Sequence, residues 1–266
     1  MFGVLLCVLV SVAAQTRTPL TPALLQKVQL EVEKLIVSKW TVPPSGTGPL
    51  VACYSSCVTA MQTSGTLGGC CRIGGTTNTG KNDTGRAEIL ASIVRLTFHD
   101  PGPFNIVDGK GGANGCIDFT DPDNSGLETV VQQMATLQAL LSATYSISMS
   151  LADLYQYAGL VATWCALPAL PAGSSATVMQ LPFRWGRVDA ATCDHTKDSG
   201  KLPDSEKAFG ELHSLAQRWG MNMKDIAALS GAHALGSTKA NQSGYSTNKP
   251  ECGIGNCGGA NATGQW

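Results

Sequence analysis

Apolar residues recur along this chain at the three- and four-residue spacing that lines one face of an α-helix. No alternating strand pattern longer than a few residues interrupts these segments, and no repeat is present. The sequence therefore predicts a mainly α protein. The predicted helices cover residues 21–39, 87–98, about 125–141, about 150–165, 205–220 and 222–233.

Capping motifs support the starts of three of these helices. Each motif places a serine or asparagine three residues before an acidic residue, the arrangement in which both side chains satisfy free backbone N–H groups. We therefore expect helices to begin at these points. The motifs are Ser125-x-x-Glu128, Ser150-x-x-Asp153 and Asn222-x-x-Asp225.

The first fourteen residues have the pattern of a cleaved leader. Apolar and small residues run from Phe2 to Ala14, and Val12-Ala13-Ala14 fits a small-x-small cleavage site. A buried N-terminal strand is the alternative. The sequence predicts a signal peptide at 1–14 and a secreted protein, followed by an N-terminal helix and a Cys/Gly-rich extension over residues 15–85.

Cysteine usage supports the same expectation of export. Nine cysteines follow the leader, and several are expected to form disulfides, although zinc binding is the alternative for the closely spaced ones. Nine is odd, so one thiol lacks a partner within the sequence. The nine are Cys53, Cys57, Cys70, Cys71, Cys116, Cys165, Cys193, Cys252 and Cys257. N-glycosylation acceptors occur at Asn82, Asn241 and Asn261.

Composition limits the classes of partner. A hydrophobic content of 43% with 14% charged residues indicates a globular chain. The formal net charge of −1 gives no electrostatic reason to expect nucleic acid or an anionic membrane as a partner. A small-molecule site is the expectation that remains.

Candidate chemistry centres on Arg95 and His99, which lie four residues apart in the second predicted helix and so share one of its faces. A histidine can carry a proton near neutral pH, while a fixed arginine stabilises developing negative charge. A second candidate, His233, lies in the last predicted helix. A lone histidine on an apolar helix is usually a core residue. We assign His195 and His213 structural roles of this ordinary kind and no function.

Six separated motifs resemble those of the haem peroxidases of plants, fungi and bacteria. In this family's order, they are Arg95–Asp100, Gly111–Ile117, Asn124–Leu127, Ala152–Gly159, Gly186–Asp189 with Gly200–Asp204, and Ala228–His233. The resemblance implies a haem peroxidase domain over residues 86–266, with distal and proximal lobes around haem b. It also implies a function: reduction of hydrogen peroxide with one-electron oxidation of a small-molecule donor.

The resemblance also implies a role for each site residue. His233 would be the axial ligand of the haem iron. His99 would move a proton between the two peroxide oxygens, and Arg95 would stabilise the charge that develops. Asn124 would accept a hydrogen bond from the His99 ring, and Phe98 would lie over the haem.

Several positions depart from the family's pattern. The proximal histidine of the family donates its second ring N–H to a buried aspartate, but no Asp follows Asp225 here, which predicts either a fragment or a degenerate copy. Gln242 stands where ascorbate users carry an arginine, although other features resemble the intracellular ascorbate and cytochrome c peroxidase branch. The calcium site of the secreted branch would use Asp100, Gly112 and Asn114.

Two alternatives to a peroxidase stay open on the sequence. The first is a non-enzymatic, secreted, disulfide-rich binding protein on a degenerate peroxidase scaffold. The second is a hydrolase that uses His99, Asp100 and a metal. A Soret band after haem addition separates the peroxidase from the first, and inhibition by chelators would favour the second.

Overall fold

In the computed structural model, residues 20–38, 84–166, 183–193, 201–203 and 209–236 are described. The mainly α class is confirmed within these stretches, where the one β feature is an isolated bridge between Asn105 and Lys110. The α-helices are α1 (Pro22–Ser38), α2 (Thr84–His99), α3 (Glu128–Tyr145), α4 (Leu151–Ala166), α5 (Phe209–Trp219) and α6 (Met223–Ser230). Short 3₁₀ turns cover Pro122–Asn124 and Gly231–Ala234.

Some predictions fall outside the described residues. These are the leader at 1–14, the glycosylation acceptors and most of the extension between 41 and 83. The boundaries at residues 15 and 86 stay predictions. Among the described helices, none has the length and apolar character needed to cross a membrane.

Helix α4 is the centre of the larger hydrophobic core, because it is buried along almost its whole length. It packs against α1, α2 and α3. Gly159 permits the closest approach to α2, since a Cβ atom at this position would collide with the Thr97 side chain. The helix that carries Arg95 and His99 is therefore fixed along one side by the most buried helix described.

A smaller apolar cluster joins α5 and α6 to the loop that follows α2. Its buried members are Phe104, Leu215, Ala216, Trp219 and Ile226. The indole Nε1 of Trp219 donates a hydrogen bond to the backbone oxygen of Gly102 at 3.0 Å. The segments that lead to His233 are thus packed against the C-terminal end of α2.

The predicted capping motifs have different outcomes. The Asn222 motif is a complete capping box, since Asn222 accepts from the Asp225 N–H and Asp225 accepts from the Asn222 N–H. At the start of α4, the Ser150 hydroxyl accepts from the Asp153 N–H at 3.1 Å. The Ser125 prediction is wrong, because α3 begins after Leu127 without any side-chain cap.

Cysteine pairing is confirmed in part. Cys116 and Cys193 form a disulfide between the loop after α2 and the loop after Asp189, and Cys165 is also disulfide-bonded. Spacing along the chain could not have indicated the first pair, because its members lie 77 residues apart.

A buried carboxyl in α1 makes stability depend on pH. Glu33 is fully buried; one of its oxygens accepts from Gln29 Nε2 at 2.6 Å and the other has no hydrogen-bond partner among the described residues. Burial raises the pKa of Glu33 from 4.5 to about 7, and the Gln29 hydrogen bond opposes this shift. The folded protein therefore holds this proton more tightly than the unfolded chain does.

We expect Glu33→Gln to stabilise the protein at alkaline pH. The raised pKa in the folded state adds to the free energy of unfolding. This addition is complete below about pH 4.5 and is lost as pH rises through about 7. Glutamine keeps the shape and cannot ionise, so its advantage over the wild type should grow by about 3 kcal/mol between about pH 4 and about pH 8. Urea unfolding at both pH values measures this difference.

The neighbouring carboxylate provides a matched control. Glu31 accepts from Tyr145 Oη and from Lys34 Nζ, both at 2.7 Å, so Glu31→Gln should lose stability. An advantage of Glu33→Gln that is equal at acid and alkaline pH would contradict the assignment of a neutral buried carboxyl.

Candidate active site

The last two turns of α2 present three candidate residues on one partly exposed face. Phe98 and His99 follow Arg95 by three and four residues, so each lies beside Arg95 on the helix surface. Leu96 and Thr97 point to the opposite side and are buried. The local sequence thus places a polar pair at the edge of an apolar core.

Asn124 fixes the tautomer of His99. Its amide Nδ2 donates to the backbone oxygen of Asp118 at 2.8 Å, which leaves Oδ1 as the atom that faces the imidazole. Oδ1 lies 2.8 Å from Nδ1 of His99, and only a protonated Nδ1 can donate to this oxygen. The neutral ring therefore carries its hydrogen on Nδ1, and Nε2 keeps its lone pair.

Arg95 is held by backbone carbonyls that the sequence could not reveal. Its Nη1 donates to Ser125 O at 2.9 Å and its Nη2 to Asp123 O at 2.6 Å. Its Nε lies 3.2 Å from Nε2 of His99, to which it donates the third hydrogen bond. Three directed bonds fix the guanidinium beside the free lone pair of the imidazole.

The surroundings of His99 favour its neutral form. Burial lowers its pKa to about 4, the Asn124 hydrogen bond acts in the opposite direction, and the positive charge of Arg95 lowers the pKa further. Asp121 opposes the shift to a smaller extent. Near neutral pH the ring is thus a proton acceptor with its lone pair at Nε2.

Phe98 packs between the Arg95–His99 pair and the smaller apolar cluster. Its ring makes edge-to-face contacts with His99 and with Trp219, with centroid separations of 5.8 and 5.6 Å. Trp219 thus supports the aromatic residue beside His99.

The structure arranges the predicted calcium residues mainly around one carboxyl. Oδ1 of Asp100 accepts from the N–H groups of Asn114 and Gly115 at 3.0 and 2.9 Å, and the Asn114 side-chain oxygen accepts from Cys116 N. Gly112 is buried with φ of +93°. Burial raises the pKa of Asp100 to about 7 despite its two hydrogen bonds. Among the described residues, no group of three His, Cys, Asp or Glu side chains could hold a metal ion.

His233 lies in a different local structure from the one predicted. Helix α6 ends at Ser230, and His233 follows in the 3₁₀ turn Gly231–Ala234. The side chain is exposed, and its Nδ1 lies 3.2 Å from the Ser230 backbone oxygen. A ring that donates from Nδ1 to a carbonyl leaves Nε2 free, which is the arrangement that a metal-binding imidazole needs.

The imidazole of His233 is a donor of the kind that holds a haem iron. The turn that carries His233 packs against α2, where a Cβ atom on Gly236 would lie 2.6 Å from the Cβ atom of Ala91. Ala91 precedes His99 by eight residues, which is about 12 Å along a helix. One exposed imidazole is thus available as a ligand on one segment, and the Arg95–His99 pair lies further along the helix against which this segment packs.

A family model described as "Peroxidase" matches residues 77–256, which is more than half of the chain. The chain belongs to the haem peroxidase family. The match spans α2 to α6 and every candidate site residue. Haem as the family's cofactor agrees with the imidazoles described above.

Curated relatives support the same membership. A probable L-ascorbate peroxidase 4, peroxisomal, of Oryza sativa subsp. japonica is 34% identical over 157 residues, covering 58% of this chain and 48% of the relative. The mitochondrial cytochrome c peroxidase of Neurospora crassa is 33% identical over 159 residues, covering 58% and 40%. The cytosolic L-ascorbate peroxidase 2 of Arabidopsis thaliana is 31% identical over 157 residues, covering 58% and 55%. This family member thus spans about half the length of the curated relatives it matches.

The predicted secreted localisation is wrong by this comparison. The relatives named above are peroxisomal, mitochondrial and cytosolic peroxidases. The prediction depended on the apolar run at residues 2–14 and on the cysteine count, and neither feature tests where a peroxidase domain of this kind acts.

Proposed function

We propose that this protein is a haem-dependent peroxidase that reduces hydrogen peroxide and oxidises a small-molecule donor in one-electron steps. The observation that carries the proposal is the Asn124–His99–Arg95 arrangement, in which a neutral imidazole is oriented by one partner and paired with a fixed cation by the other. When bound, haem supplies the redox chemistry that cleaves the O–O bond. His233 is the residue that would hold it.

His99 serves as the proton carrier in this proposal. Its Nε2 lone pair accepts a proton from one oxygen of hydrogen peroxide and returns it to the other, so that this oxygen leaves as water. A pKa of about 4 suits both steps, because the ring is neutral before the reaction and is a strong acid after accepting the proton. With two electrons and two further protons, the peroxide yields two water molecules.

Arg95 stabilises the negative charge that develops as the O–O bond breaks. Its bonds to Asp123 O and Ser125 O hold the guanidinium in place before the reaction, so little reorganisation is needed. The Nε–H that now occupies Nε2 of His99 would give way to the peroxide O–H when the substrate enters.

The donor is proposed only as a small molecule. The curated relatives include proteins named for ascorbate, whereas Gln242 in this sequence argues against it. Calcium is left out of the proposal. Oδ1 of Asp100 already accepts from two backbone N–H groups, and the Asn114 side-chain oxygen accepts from Cys116 N, so neither oxygen is directed at a cation.

Haem reconstitution tests the proposed function. Purified protein mixed with haem should develop a Soret band and then oxidise a chromogenic phenol or ascorbate only when hydrogen peroxide is added. No Soret band would favour the non-enzymatic binding protein. A Soret band without peroxide-dependent turnover would also refute the proposal. Activity of the haem-free protein that a chelator abolishes would favour the hydrolase.

A further inference from the structure

Helix α2 ends beside a backbone carbonyl that its own helix cannot satisfy. In a continuing helix the carbonyl of Thr97 would accept from the N–H of residue 101. Residue 101 is proline and has no N–H. The preceding carbonyl, of Leu96, still accepts from Asp100 N at 3.1 Å. The missing donor therefore falls within the turn that carries His99.

A side chain of α4 supplies this donor. Nε2 of Gln156 lies 3.0 Å from the Thr97 backbone oxygen, and both residues are buried. A second contact joins the same pair of helices, since the Thr97 hydroxyl lies 2.9 Å from the Tyr155 backbone oxygen. Buried carbonyls that lose their donor are costly, so the last turn of α2 depends on this amide for its position.

We propose that Gln156 is a positioning residue for the His99–Arg95 pair. Its amide replaces the N–H that Pro101 lacks and fixes the turn from which the His99 side chain reaches Asn124. Gln156 touches the Thr97 carbonyl rather than any reacting atom, so it acts through the helix. The importance of this positioning for peroxide reduction rests on the proposed function, whereas the effect on the His99 ring does not.

Nitrogen NMR of the haem-free, full-length chain tests the proposal. Protein labelled with ¹⁵N-histidine is compared with Gln156→Met, Pro101→Ala and the double variant, and the His99 signals are identified from their loss in His99→Gln. The wild type should show the Nδ1–H tautomer that Asn124 selects. Gln156→Met keeps the side-chain length but has no donor, so it should show a mixture of the two tautomers.

The double variant is the decisive arm. Alanine at 101 restores a backbone N–H that can donate to the Thr97 carbonyl, so the double variant should recover the wild-type ring shifts, and Pro101→Ala alone should keep them. In haem-loaded protein, Gln156→Met should lower kcat/KM for hydrogen peroxide by roughly 10–100-fold, with recovery in the double variant.

Three outcomes would overturn the proposal. The first is a folded Gln156→Met protein with wild-type ring shifts, and the second is a double variant that keeps the defect. The third concerns the case in which Gln156→Met does not fold. The double variant should then fold normally, and a double variant that does not fold would refute the proposal. Because the ring shifts are measured without haem, absent peroxide turnover would count against the proposed function and not against this inference.

Discussion

His99→Leu is expected to lower kcat/KM for hydrogen peroxide by roughly 10²–10⁴-fold, the range that a positioned general acid–base contributes. The reason is that Nε2 of His99 carries the lone pair nearest to the fixed guanidinium of Arg95. Leucine removes the lone pair while filling most of the volume of the imidazole. Stopped-flow absorbance of the haem-loaded protein after peroxide addition measures the rate.

The pH dependence of the wild type gives a second measurement of the same group. The pKa of His99 is about 4, so the reactive neutral ring predominates above that value. The rate constant should be level from about pH 5 upward and fall as pH drops through about 4. The His99→Leu variant should lack this fall in rate at acid pH.

His213→Gln, on the exposed face of α5, is the control and should keep the wild-type pH profile. A His99→Leu protein with equal haem content and more than a tenth of the wild-type rate would exclude the proposed role.

The helices were predictable because burial is periodic along them. The apolar run from Ile89 to Leu96 gave both the existence of α2 and the face on which Arg95 and His99 lie. The meeting of this pair with Asn124 was expected only from the family resemblance. Periodicity reports which side of one helix is buried and says nothing about which loop reaches its exposed side.

The backbone partners of the site could not have been predicted. Arg95 is held by the carbonyls of Asp123 and Ser125, and every residue carries a carbonyl, so the sequence contains no signal for these two. Ser125 is predicted to cap α3, but in the structure it ends the 3₁₀ turn Pro122–Asn124, where its N–H donates to Pro122 O. The Glu128 carboxylate accepts from Gly126 N instead of from Ser125 N, so the local motif does not form a capping box.

Gln156 shows where a usable signal did exist. A proline two residues after the histidine that ends α2 guarantees that the Thr97 carbonyl lacks its helix donor. If this carbonyl is buried, another donor must replace the missing N–H, and a glutamine within the apolar helix α4 is a natural candidate. The sequence contains both the carbonyl without a helix donor and the glutamine that supplies one, but only the packing of α2 on α4 brings them together.

His233→Ala is expected to abolish stable haem binding. Loss of an outer partner alone weakens metal sites by 10–100-fold, and loss of the ligand itself should exceed this. The exposed ring with Nε2 free is the described imidazole suited to that role, because Nδ1 is directed at the Ser230 carbonyl. Haem titration followed at the Soret band measures the loss, and added imidazole should restore part of the band.

The choice of control decides how this result is interpreted. His213→Ala also removes an exposed histidine, one whose described ring contact is with Phe209, so it should bind haem as the wild type does. His99→Leu should likewise keep the Soret band, since that ring is assigned to proton transfer. If His233→Ala and the wild type bind haem with equal affinity, the axial assignment is wrong and the ligand lies elsewhere in the chain.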